Sequence, residues 1–118
     1  AATGLATGSA DLVSLCLIMH ELPASATASI LAEASRVLKA GGHLAIFEMD
    51  PSSPGYGQIR ANPLLFAIVR STEPYLDEYF FDVAPRLNEM LEEAGFQPMA
   101  KRLIESNKHQ VVMARRLD

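Results

Sequence analysis

An α/β fold, made of two parallel strands and a C-terminal antiparallel hairpin with helices mainly on one face, is predicted by three observations. The run from Asp11 to Met19 is almost continuously apolar, which is the pattern of a strand covered on both faces. The stretch from Arg36 to Glu48 holds a helix end, a Gly41-Gly42 stop and a second apolar strand, half of a strand-helix-strand unit. Near the end of the chain, Phe96 to Glu105 and His109 to Arg115 flank Ser106-Asn107-Lys108, a hairpin by length and turn chemistry.

Residues 1 to 9 are small and polar and read as a loop. In the first strand, Leu12, Cys16 and Ile18 point to one face, and Val13, Leu15, Leu17 and Met19 to the other. Pro23 and Ser25 open a helix that runs to about Lys39. Ile30, Leu31, Ala34, Val37 and Leu38 share its apolar face, and Glu33 and Arg36 take the wet side. After the second strand, His43 to Glu48, the prolines and glycines between Asp50 and Gly57 predict an irregular loop with no regular element through it. Leu64, Leu65, Ala67, Ile68 and Val69 then make a short apolar helix that Glu73-Pro74 breaks, and Tyr75, Tyr79, Phe80 and Phe81 gather most of the aromatics. Asp82 is placed to cap a last helix, with Pro85 in its first turn, Leu87, Met90, Leu91 and Ala94 buried, and Gly95 as its stop.

At 118 residues and 49% hydrophobic, the chain suits one small core and a single domain. The net charge of -4 leaves no basic footprint for nucleic acid. No run is apolar enough for a membrane span and no signal peptide is visible, so a cytoplasmic protein is expected. The single cysteine, Cys16, excludes an intramolecular disulfide and is expected to pack as a small hydrophobe inside a buried strand. His20, His43 and His109 have no ligand spacing, so no metal site is expected.

Ala10-Asp11-Leu12-Val13, His20-Glu21-Leu22-Pro23, the run from Arg36 to Leu44 and the acidic strand end Glu48 together resemble the class I, Rossmann-like S-adenosylmethionine-dependent methyltransferases. The resemblance spans almost the whole chain but only the back half of the family pattern. It implies a Rossmann-like half-sheet in which residues 1 to 118 form one partial domain, a fragment lacking the N-terminal cofactor-binding half. In that family the cofactor rests on a glycine-rich loop after the first strand, with an acid ending the second strand on its ribose. Gly4 and Gly8 have no strand before them, so they do not read as that loop.

The implied cofactor is S-adenosylmethionine, expected to bind this chain weakly, and the implied acceptor is a small molecule. Little activity is expected of the chain alone. The alternative is a non-catalytic module that self-associates or completes another chain. Cys16, Leu17 and Ile18 match strand-end positions that flank the cofactor, although a plain apolar strand would look the same. By similarity to O-methyltransferases with His-Asp after this strand, His20 is a general base and Glu21 supports the ring or the helix. Glu21 replaces the Asp and Leu22 the usual Trp of that pattern, and a structural or substrate-lining histidine is the other reading of His20. The segment from Asn62 to Phe81 is either a lid over the acceptor or core covering the sheet. In the family order the first strand is central, so here it becomes an apolar edge, and a two-fold homodimer is expected.

Overall fold

The computed structural model describes all 118 residues. Four strands, β1 (Ala10–Cys16), β2 (Leu38–Met49), β3 (Phe96–Leu103) and β4 (His109–Arg116), form one sheet in the order β1-β2-β4-β3. β1 and β2 are parallel, and the other two pairings are antiparallel. The helices are α1 (Ala24–Val37), α2 (Pro54–Ala61), α3 (Pro63–Thr72), the single turn α4 (Leu76–Glu78), which continues as a π turn over Tyr79–Val83, and α5 (Leu87–Glu93). The expected half-sheet is therefore present, with two parallel strands and a C-terminal hairpin.

Alternation along the strands decides which face is covered. Leu44, Ile46 and Glu48 of β2 and Gln110, Val112 and Ala114 of β4 are buried, in one core with Leu31 of α1, Leu76, Tyr79, Phe80 and Val83 of the α4 region, and Leu87, Met90 and Leu91 of α5. The alternate residues Ala45, Phe47, Val111 and Met113 are only half-buried, and Phe47 stacks on His109 with ring centroids 5.5 Å apart. All the helical cover lies on the first face, because the core cluster draws only on its residues.

Several local expectations are corrected. The first strand stops at Cys16 rather than Met19, since Leu17 turns into the left-handed region at φ 51 and Met19–Glu21 forms a 3-10 turn. It is not covered on both faces. Val13 and Leu15 pack against the core, whereas Leu12 is 59% exposed and Cys16 is exposed, because the strand is at the sheet edge and its second face has no helix over it. β2 begins at Leu38, directly after α1, and its pairing jumps from Ala10 opposite Leu38 to Leu12 opposite His43. Gly41, at φ 79, thus serves a bulge in the strand rather than the helix stop.

Glu33 is not on a wet side. The N-terminal loop crosses it, with the Thr3 amide and hydroxyl both donating to Oε1 at 2.8 Å, while Arg36 donates to Leu5 O and Thr7 Oγ1.

The stretch after β2 is not irregular throughout. Pro54 starts α2 at a position where its missing N–H costs nothing, and Ser53 Oγ caps the helix by accepting from Tyr56 N. α3 forms where expected but buries none of its residues, Leu64 being 72% exposed and Ile68 55%. The covering reading of Asn62 to Phe81 therefore holds fully for the part around Leu76, Tyr79 and Phe80, whereas α3 reaches the core only through half-buried Phe66 and Val69. Asp82 accepts from Arg86 instead of capping, and Pro85 precedes α5, which starts two residues later at Leu87. No helix is long and apolar enough to cross a membrane.

Candidate functional site

The site is built where the carboxyl ends of the two parallel strands meet. β1 ends with the Leu17 amide donating to Phe47 O at 2.8 Å, and the left-handed Leu17 redirects the chain across the end of β2. The 3-10 turn that follows presents its first amides to the last acid of β2. Glu48 Oε2 accepts from Met19 N at 2.9 Å and His20 N at 3.4 Å, and Oε1 lies 2.6 Å from His20 Nδ1. Met49 N also donates to Oε1 at 2.9 Å. Glu48 is 1% exposed, and this buried carboxylate spends its acceptor capacity on one turn, one ring and the next amide of its own strand.

His20 is itself 6% exposed. With Nδ1 committed to Glu48, the other ring nitrogen is the one turned toward Glu21 at 3.9 Å and Glu73 at 4.0 Å. The hydrogen bond to Glu48 raises the His20 pKa above its ordinary value, burial pulls it down by less, and the charges of Glu48, Glu73 and Glu21 add to the rise. In the neutral ring Nδ1–H donates to Glu48 and Nε2 keeps its lone pair. That arrangement can accept a proton or bind a cation at Nε2.

Tyr79 packs edge-on to His20, with centroids 6.4 Å apart, and its hydroxyl donates to Met49 O at 2.6 Å. Burial, reinforced by the Glu48 charge, pushes its phenol far above the usual range, so it stays a protonated donor. Gln110 Nε2 shares the same carbonyl at 3.4 Å, and its buried Oε1 has no partner. Beyond it is a cavity of about 580 Å³ lined in part by Asp50, Phe80, Leu87, Met99 and Lys101. Asp50 accepts from Ser52 N and Oγ and lies 3.7 Å from Lys101 Nζ.

Of the residues singled out from the sequence, His20 occupies the strand-end position expected of it. Glu21 is beside the ring but exposed at 60% of its side chain, on the open side. Cys16, Leu17 and Ile18 line the same strand end, Cys16 on the uncovered face. Glu48 was visible only as an acid closing an apolar strand. Its partnership with His20 depends on adjacent strands. Nothing in the spacing of Glu73 or Tyr79 pointed to either of them.

Residues 1–46 match a family model described as a methyltransferase domain. No curated protein matches the sequence. Among solved structures, a S-adenosylmethionine-dependent methyltransferase from Methanosarcina mazei is 17% identical, with a TM-score of 0.66 over 98% of this chain and 63% of that one. An O-methyltransferase family protein from Burkholderia thailandensis is 19% identical, with a TM-score of 0.62 over 94% of this chain and 31% of that one. The 1,6-didemethyltoxoflavin-N1-methyltransferase of the same organism, solved with S-adenosylhomocysteine, is 16% identical, with a TM-score of 0.62 over 95% and 46%. The chain thus spans from 31% to 63% of the length of these proteins, and its fold is that of the matching part of class I, Rossmann-like methyltransferases.

Proposed function

We propose that this chain is the acceptor-side part of a S-adenosylmethionine-dependent methyltransferase acting on a small molecule, with His20 as the general base. The observation that carries this reading is the Glu48–His20 pair at the carboxyl ends of the parallel strands, where open α/β sheets bind ligands. Glu48 fixes the ring and its tautomer, and Nε2 is left to take a proton from an acceptor hydroxyl or amine. Tyr79 lies edge-on beside the ring, with centroids 6.4 Å apart.

The cofactor's activated methyl group is the chemistry the resemblance would add. These residues do not make a full site for it. Cys16, Leu17 and Ile18 offer one wall, but Gly8 is tied to α1 by its amide on Arg36 O, in a loop that Glu33 and Arg36 strap down, and not between a strand and a helix.

Titration of the 15N-labelled chain with S-adenosylhomocysteine tests the reading. Weak binding is expected, with a Kd of about 1 mM, and shifts concentrated from Cys16 to Glu21. Shifts confined to another surface, or none near saturation of the ligand's solubility, would overturn it.

A second reading has one observation in its favour: β1 is an open edge with Leu12 59% exposed and Cys16 exposed beside it. On that reading the chain is a module whose β1 strands pair across a two-fold axis. Sedimentation equilibrium then finds a dimer that Leu12→Lys dissociates. A monomer at about 100 μM would remove it, that concentration being well above the Kd of a micromolar complex.

A further inference from the structure

We propose that His20 Nε2, Glu21 and Glu73 form a three-ligand site for a divalent transition-metal ion, with Glu48 as the carboxylate that orients the histidine. His20 Nε2 is 3.9 Å from Glu21 Oε1 and 4.0 Å from Glu73 Oε1, and one ligand atom of each residue lies within 4.8 Å of the others. Three ligands at about 2.1 Å from a tetrahedral zinc ion stand roughly 3.4 Å apart. The two edges from His20 Nε2 then shorten by about half an ångström and the Glu21–Glu73 edge, which is within 4.8 Å, by up to about 1.4 Å, movements that the exposed Glu21 side chain and the partly exposed Glu73 are free to make.

Proximity of two acids would not carry this by itself. The second observation is His20, a side chain more than nine-tenths buried whose Nε2 has no hydrogen-bond partner and faces the two carboxylates. Its Nδ1 is already bound at 2.6 Å to Glu48, which is itself fixed by the Met19 and Met49 amides. A carboxylate on one ring nitrogen with the other nitrogen open is the arrangement by which proteins orient a metal-bound imidazole and raise its basicity. The donor set, one imidazole and two carboxylates, suits zinc, cobalt or manganese better than calcium or magnesium. Three protein ligands also leave a coordination position for water or a substrate oxygen. The sequence-based expectation of no metal site looked for histidines at ligand spacing, and Glu73 is 53 residues from His20 in the chain, brought in by the break between α3 and α4.

This inference does not rest on methyl transfer. A cation on Nε2 takes the lone pair that a base would use, so the two uses of His20 exclude one another at any instant.

The full chain is titrated with Co²⁺ and read by its visible d–d absorption, and with Zn²⁺ by calorimetry. One equivalent is expected to bind at about micromolar Kd, and Glu73→Gln and Glu21→Gln are each expected to weaken it by about tenfold or more. A His43→Gln/His109→Gln variant, which removes the other two histidines, is expected to bind as the parent does. Nitrogen-15 shifts of the His20 ring give a check that needs no substitution, since Nε2 moves on Zn²⁺ binding while Nδ1 stays protonated. Binding lost in the His43/His109 variant, binding indifferent to both glutamate substitutions, an unmoved Nε2, or no binding at 1 mM would each overturn the proposal.

Discussion

Replacing Glu48 by Gln changes one oxygen to an amide and should cost this domain a large share of its stability. Glu48 accepts four contacts: His20 Nδ1 at 2.6 Å, Met19 N at 2.9 Å, Met49 N at 2.9 Å and His20 N at 3.4 Å. A glutamine retains one carbonyl oxygen, which can serve His20 Nδ1 and Met49 N. Its NH₂ group then meets the Met19 amide, donor against donor, in a place that is 1% exposed. An unpaired buried N–H costs about 1–3 kcal/mol, and exchanging a charge-assisted hydrogen bond for a neutral one costs about 1 kcal/mol more. The expected loss is about 2–4 kcal/mol, against a total stability of roughly 5–15 kcal/mol for a domain. Urea unfolding followed by far-ultraviolet circular dichroism measures it from the midpoint shift at constant m. The double variant with His20→Asn should lose less than the sum of the two singles, by about 0.5–3 kcal/mol. A Glu48→Gln loss under about 1 kcal/mol would show that neither the turn nor the placing of His20 depends on this carboxylate.

Three further outcomes follow from the packing and charges described above. Gly55→Ala should destabilise by about 1–3 kcal/mol although alanine favours helix, because the new Cβ would lie 2.5 Å from the Asn107 carbonyl oxygen; a raised melting temperature would contradict this. Tyr79→Phe should cost about 1 kcal/mol through loss of the hydroxyl's bond to Met49 O, measured by the same urea assay, and an unchanged midpoint would refute it. Hydrogen bonds from Arg36 and Thr3 hold the Glu33 carboxyl well below its ordinary pKa of 4.5. Its contribution is therefore present above pH 4.5 and is lost as pH falls through the lowered folded value. Exchange of the Thr3 amide should accelerate in that acid range in the parent and already at neutral pH in Glu33→Gln, and equal protection in both would refute the strap.

The sequence by itself determined the strand and helix order, because periodicity is local: an apolar run makes β1, a repeat of three and four makes α1, and a turn tripeptide makes the β3–β4 hairpin. It placed His20 at a strand's carboxyl end for the same reason. It misjudged how far β1 extends, since the left-handed turn at Leu17 is set by Glu48 gripping the next amides from a neighbouring strand, and no residue near Leu17 encodes that grip. It also took Cys16 as buried, because an apolar run specifies what can be covered but not whether a helix arrives to cover it. Glu33 shows the converse, an acid on a helix's polar side that becomes shielded only because residues 1 to 9 fold over it. The grouping of His20, Glu48, Glu73 and Tyr79 belongs to tertiary structure alone. These four residues come from a turn, a strand end, a helix break and a π turn, and only packing on one face of the sheet brings them within a few ångströms.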